Sequence, residues 1–219
     1  MTFLLVMVFW VFSICLHEFG HAAVAYWGGD TSVRDKGYLS FNPMRYMDPV
    51  SSLFIPMIIL ALGGIGLPGG AVYINTSLLR SRAWETAVSL AGPATNLMFA
   101  IVLGSIVRLD FVSGTHAAPI LAFLAWLQVC AAVLNLLPIP PLDGYGALAP
   151  YLPHNVRQQF ESVGYFGIFI LIALLWFSQT ANGLFFGFIF MFSAALGVPI
   201  GDAIQGYQDF TSALRGSIL

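Results

Sequence analysis

The sequence predicts an all-α polytopic membrane protein: a bundle of about five spanning helices, one short re-entrant or partial segment near residues 50–66, and short membrane-associated β-strands. Three observations predict it. Of 219 residues, 58% are apolar and only 8% charged, against roughly a quarter charged in an ordinary soluble domain. Three apolar runs, residues 2–27, 84–107 and 117–137, each reach the about 20 residues a helix needs to cross a ~30 Å hydrocarbon core. No Pro-rich linker, low-complexity tract, internal repeat or charge block marks a boundary. Residues 1–219 therefore read as a single integral membrane domain, with a core over 1–146 and a C-terminal helical hairpin at about 160–200.

The first run lacks a basic leader and a small-residue cleavage site, and it continues into His17 and Glu18, so it reads as a retained helix. Residues 31–41 suit short extended pieces around Asp35, Lys36 and Gly37, a hairpin with a Gly-containing loop. Residues 50–66 hold Pro56 and end in Gly63, Gly64 and Gly66, too short for a full crossing unless the bilayer thins. Pro68, Gly69 and Gly70 then precede the alternating Ala71, Val72, Tyr73, Ile74 and Asn75, the pattern of a strand with a free edge. After the second and third long runs, residues 160–177 and 183–200 are shorter and Gly-punctuated, joined around Gln179 and Asn182. Residues 155–162, with Arg157 and Glu161 four apart, fit an interfacial helix or a solvated connector equally well.

Charge and cysteine content exclude other classes. Lys plus Arg is 8, Asp plus Glu is 10, and the net charge of -2 supplies no basic stripe for nucleic acid. Cys15 and Cys130 lie in separate apolar runs and form neither a disulfide framework nor a paired metal motif. His116 and His154 fall in polar connections and read as surface histidines.

Chemistry concentrates in His17, Glu18, Phe19, Gly20 and His21, a His-Glu-x-x-His pattern inside the first run. Four-residue spacing puts both imidazoles on one helix face, which suits one zinc ion, and Glu18 is offset to act as a general base on water. Glu18 is also the one Asp, Glu, Lys or Arg residue in the interior of an apolar run, where an ionisable group costs several kcal/mol and marks function by default. A hydrolytic zinc site needs a third protein ligand and an open position. Asp143 is the candidate: Pro138, Pro140 and Pro141 prevent regular helix before it, and Gly144 lets the chain turn after it. A helix end with a surface Asp accounts for those residues equally well when they are taken alone.

Three stretches together resemble one family. The His17–His21 pattern, the Gly92, Pro93, Ala94, Thr95, Asn96 stretch, and the Asn135 to Gly144 stretch ending in Leu142, Asp143, Gly144 occur in the order and at the spacing of the site-2 protease family of intramembrane zinc metalloproteases. The resemblance is to compact members without PDZ or CBS domains, and it covers most of residues 3–144. It implies that His17, His21 and Asp143 hold Zn2+, that Glu18 is the catalytic base of a zinc endopeptidase, and that 1–146 is the catalytic core. It further implies that the substrate is a transmembrane protein or peptide cut in or near the bilayer, and that Asn96 and Asn135 handle extended substrate backbone. Interhelical hydrogen bonding explains those two amides equally well.

One zinc ion also constrains topology. The histidines lie in the latter half of the first span and Asp143 follows the span ending at Leu137, so both ends must share a membrane face. Residues 50–66 are therefore expected not to cross. Arg34, Lys36, Arg45, Arg80, Arg82, Arg157 and Arg215 then share one face and leave Arg108 opposite, which the positive-inside rule places in the cytoplasm. The expected location is a prokaryotic cell membrane, with the active site nearer the cytoplasmic side and the N-terminus outside. A transmembrane helix must unwind before it is cut, and an edge strand from residues 31–41 or 71–75 could pair with it. The competing class is a non-proteolytic zinc-binding membrane protein or transporter. It fits less well, because only one deep ionisable cluster is present and the halves of the chain do not repeat.

Overall fold

A computed structural model describes residues 2–45 and 72–216. Among them every regular element is helical: α1 (Thr2–Gly28), α2 (Ser32–Asp35), α3 (Arg82–Val107), α4 (Ala117–Asn135), α5 (Asp143–Leu148), α6 (His154–Phe177), α7 (Gln179–Ala195) and α8 (Ile200–Gly216). Three of these, α1, α3 and α4, are long and apolar enough to cross a membrane, and α6, bent by 60° between its halves, makes a fourth if it counts as one span. The all-helical expectation for a membrane bundle agrees with this.

Apolar residues surround α4 on every side, so it packs at the centre, with α1, α3 and α8 against it. The core combines Val6, Trp10 and Ile14 of α1, Ala100, Leu103 and Val107 of α3, Phe123, Leu127 and Val133 of α4, and Phe210 of α8. Leu4 and Val8 on α1 and Met98, Ile101 and Val102 on α3 point outward and are exposed. Apolar faces of this kind are what a lipid-embedded helix presents. Gly20 lets α1 approach α3 closely, since a Cβ there would lie 2.5 Å from Thr95 Oγ1 and 3.1 Å from the Ala91 carbonyl oxygen.

Helix α1 ends where Gly29 takes φ 121, a conformation that favours glycine, with the Leu78 carbonyl too close for a side chain. Arg80 N–H donates to the Gly28 carbonyl at 3.0 Å, and a Cβ on Gly28 would lie 3.1 Å from the Trp84 ring. The end of α1 and the start of α3 therefore adjoin on one side of the bundle.

The expected hairpin at residues 31–41 is not formed. Asp30 Oδ1 accepts from the backbone N–H of Ser32 at 3.1 Å and from its hydroxyl at 2.6 Å, which winds Ser32–Asp35 into one helical turn instead of a strand. Gly37 at φ 77 then closes the turn. Val72 to Asn75 run extended, with Val72 and Ile74 packed inward and Tyr73 exposed, yet no strand ladder pairs with them among the described residues. The expected partial segment at 50–66 and residues 67–71 lie outside the described residues.

Toward the C-terminus, residues 155–162 are helical as the first half of α6, with Arg157 Nε 2.7 Å from Glu161 Oε1. Ser178 Oγ accepts from Ala181 N–H at 3.2 Å and caps α7 directly after α6 ends. Helix α8 was not anticipated. Its Asp202, Gln205, Gln208 and Asp209 give it a polar composition, but Ala203, Gly206 and Phe210 form a buried stripe. Phe210 stacks with Phe3 at 5.6 Å and packs on Phe123 at 5.7 Å. Gly206 sits directly against the Pro119 carbonyl.

Candidate metal centre

One turn of α1 carries His17 and His21 on the side facing α3, with ring centroids 4.7 Å apart and both residues buried. His21 Nδ1 lies 2.7 Å from the Val88 carbonyl of α3. A carbonyl only accepts, so Nδ1 carries the proton and Nε2 keeps its lone pair for the site. That Nε2 is 3.0 Å from His17 Nε2.

Asp143 reaches the same point from the far end of the chain. Three prolines break the backbone after α4, with short turns closed by Ile139 N–H to Leu137 and Leu142 N–H to Ile139, both at 2.8 Å. The chain then doubles back, which Gly144 permits because any Cβ there would collide with the Leu136 carbonyl. Helix α5 is pinned to α3: Thr86 Oγ1 donates to the Ala147 carbonyl at 2.8 Å, and Gly146 lies over Ser89, whose Oγ would be 2.8 Å from a Cβ. This docking sets Asp143 Oδ2 3.2 Å from His17 Nε2 and Oδ1 3.4 Å from His21 Nε2. Asp143 thus stands at the start of a short helix with its carboxylate turned toward the two histidines.

The donor set fits zinc. Tetrahedral ligands at metal–nitrogen and metal–oxygen lengths of about 2.0–2.2 Å stand about 3.3–3.5 Å apart, and the three separations here are 3.0, 3.2 and 3.4 Å. Asp143 Oδ2 is buried without a hydrogen-bond partner, so lone pairs face one another as they do around a cation. Gly92 leaves the space: a Cβ there would press on His21 Nε2 and lie 2.5 Å from His17 Nε2. Among the described residues, His17, His21 and Asp143 form the one group of three or more potential ligands that converges in this way, all within 4.8 Å.

Glu18 is buried beside this cluster, with the Val72 backbone close to its carboxylate. Asn96 lies one turn beyond Gly92 on α3, and Asn135 is the last residue of α4; both are buried. No hydrogen bond of either amide side chain to another described residue is present. Sequence reasoning passed over the Val88 carbonyl, the steric role of Gly92, and the approach of Val72 to Glu18. The first has no sequence signal. The Gly92–Pro93 pair was visible, since Pro93 denies the Ser89 carbonyl its helical donor and loosens that turn.

The chain matches no family model and no solved structure. It does match curated relatives. It is 46% identical over 199 residues to "Putative zinc metalloprotease Rip2" of Mycolicibacterium smegmatis, covering 90% of this chain and 76% of the relative. The protein of the same name in Mycobacterium tuberculosis is 46% identical over 207 residues, covering 94% and 79%. "Putative zinc metalloprotease YwhC" of Bacillus subtilis is 28% identical over 172 residues, covering 75% and 76%. Identity at that level over most of both chains, together with a donor set suited to zinc, makes this chain a member of the site-2 protease family of zinc metalloproteases.

Proposed function

We propose that the chain is an intramembrane zinc endopeptidase that hydrolyses peptide bonds in or near transmembrane segments of membrane proteins. The observation that carries this reading is the meeting of Asp143 with His17 and His21 beside Glu18, the last three on a helix apolar enough to span the bilayer. His17, His21 and Asp143 hold the metal, with the Val88 carbonyl fixing the His21 tautomer. Zinc supplies Lewis acidity that polarises the scissile carbonyl and makes water acidic enough to react near neutral pH. Glu18 takes the proton from the attacking water as the C–O bond forms and delivers it to the amide nitrogen as the C–N bond breaks. Asn96 and Asn135 bind the unwound backbone, and Val72–Asn75 offers it an edge.

The whole chain acts as one membrane domain, with the catalytic core in 1–146. The adjoining ends of α1 and α3 support a topology in which both ends lie at one face, with the basic residues gathered on the cytoplasmic side of a prokaryotic membrane. Glu18→Gln tests the mechanism in detergent or proteoliposomes with a membrane-spanning substrate. Cleavage falls by about 10²–10⁴-fold while zinc content stays at the wild-type level. Cleavage retained in that variant removes Glu18 from its role.

A further inference from the structure

Asp30 is completely buried, carries a carboxylate, and takes no part in the zinc cluster. Its Oδ1 accepts both Ser32 bonds described above, and its Oδ2 accepts the backbone N–H of Asn75 at 2.7 Å, across 45 positions of sequence. Nearby, Lys36 Nζ donates to the Tyr73 carbonyl at 2.7 Å. In an extended chain the N–H and C=O of one residue point to one edge and those of the next to the other. Tyr73 and Asn75 thus fasten one edge to the turn after α1. Val72 and Ile74 present the opposite edge, with the Val72 backbone near the buried Glu18.

We propose that Asp30 is a positioning residue that clamps Val72–Asn75 to the end of α1, holding its other edge, which pairs with no strand among the described residues, beside Glu18 as the rail on which unwound substrate backbone is laid. The inference deepens the proteolytic reading and rests on it. A carboxylate is required because three donors converge on it, two at Oδ1 and one at Oδ2. In Asp30→Asn the amide oxygen still serves Ser32, but the amide NH2 then faces the Asn75 N–H, donor against donor. The turn survives and the tether is lost. Lys36 anchors only the adjacent carbonyl, so Lys36→Met shifts behaviour the same way but less.

The test is amide hydrogen exchange of the full-length protein in detergent, run beside zinc content and steady-state cleavage of a membrane-spanning substrate peptide. In Asp30→Asn the peptide covering Val72–Asn75 exchanges at least about tenfold faster while peptides of α1 and α3 keep wild-type protection. Zinc content is unchanged, and KM rises about tenfold with kcat within about threefold, the pattern of lost substrate binding rather than lost chemistry. Wild-type exchange at Val72–Asn75 overturns the clamp. Parallel loss of zinc, kcat and α1 protection makes Asp30 a folding element and overturns it as well. A wild-type protein that holds zinc but cleaves no membrane-spanning peptide overturns the proteolytic reading and the substrate role with it, while the exchange rates still decide the tether separately.

Discussion

Adding one methyl group at Gly92 should empty the metal site without unfolding the protein. A Cβ on this α3 residue would lie 2.5 Å from His17 Nε2, 2.6 Å from His17 Cε1 and nearer still to His21 Nε2. Carbon and nitrogen in ordinary contact stand roughly 3.5 Å apart, so the imidazoles must each retreat by about 1 Å. Metal sites tolerate about 0.2 Å in ligand distance. The methyl also stands at little more than the about 2.0–2.1 Å zinc–nitrogen length from both ligand atoms, so it competes with the ion for its own place. Removing an outer-shell partner typically costs 10–100-fold in metal affinity, and displacing two ligands at once should exceed about 100-fold. The helix itself gains about 1 kcal/mol from Gly→Ala, which offsets part of an overpacking cost of about 1–3 kcal/mol. The assay is zinc competition against a chromophoric chelator, with far-ultraviolet circular dichroism and thermal unfolding in detergent as controls. Wild-type zinc affinity in a folded Gly92→Ala protein would refute the geometry.

Other substitutions separate the site from its scaffold. Gly144→Ala drives a Cβ into the Leu136 carbonyl, which is main chain and cannot swing away; zinc affinity falls with a stability loss of about 1–3 kcal/mol, measured by the same two assays. Gly206→Ala meets the Pro119 carbonyl at the α4–α8 contact, so thermal stability drops by a similar about 1–3 kcal/mol while the folded fraction keeps its full zinc. Thr86→Val removes the hydroxyl that pins α5 through Ala147; it costs about 1 kcal/mol and weakens zinc binding more than the distant Gly206→Ala does, as titration shows. Stripping the metal with a chelator abolishes cleavage, and stoichiometric zinc restores it.

Much of this site was legible in the sequence because its chemistry is spelled in residue types with a fixed helical spacing. His17, Glu18 and His21 announce themselves by periodicity and by the cost of placing Glu18 in an apolar run. Asp143 was legible only as a candidate, since nothing in three prolines and a glycine says which way the chain turns; the direction follows from Gly144 and Gly146 fitting against neighbours far away in sequence. The long helices were equally clear, because a bilayer demands about 20 apolar residues whatever the fold. The hairpin at 31–41 failed because one side chain, Asp30, supplies a local hydrogen-bond network that outcompetes strand pairing. Helix α8 carries the 3.6-residue stripe of Ala203, Gly206 and Phe210 as its signal, set in a polar stretch too short of apolar residues to stand out as a span.

Zinc stoichiometry of the detergent-purified protein, measured by elemental analysis beside His17→Ala and Asp143→Ala, tests most directly that two motifs more than a hundred residues apart in sequence build one site. About one zinc per wild-type chain, with both variants losing most of it, is the predicted result. A wild type that holds none after purification without chelator, or an Asp143→Ala protein that binds zinc as tightly as wild type, contradicts the account.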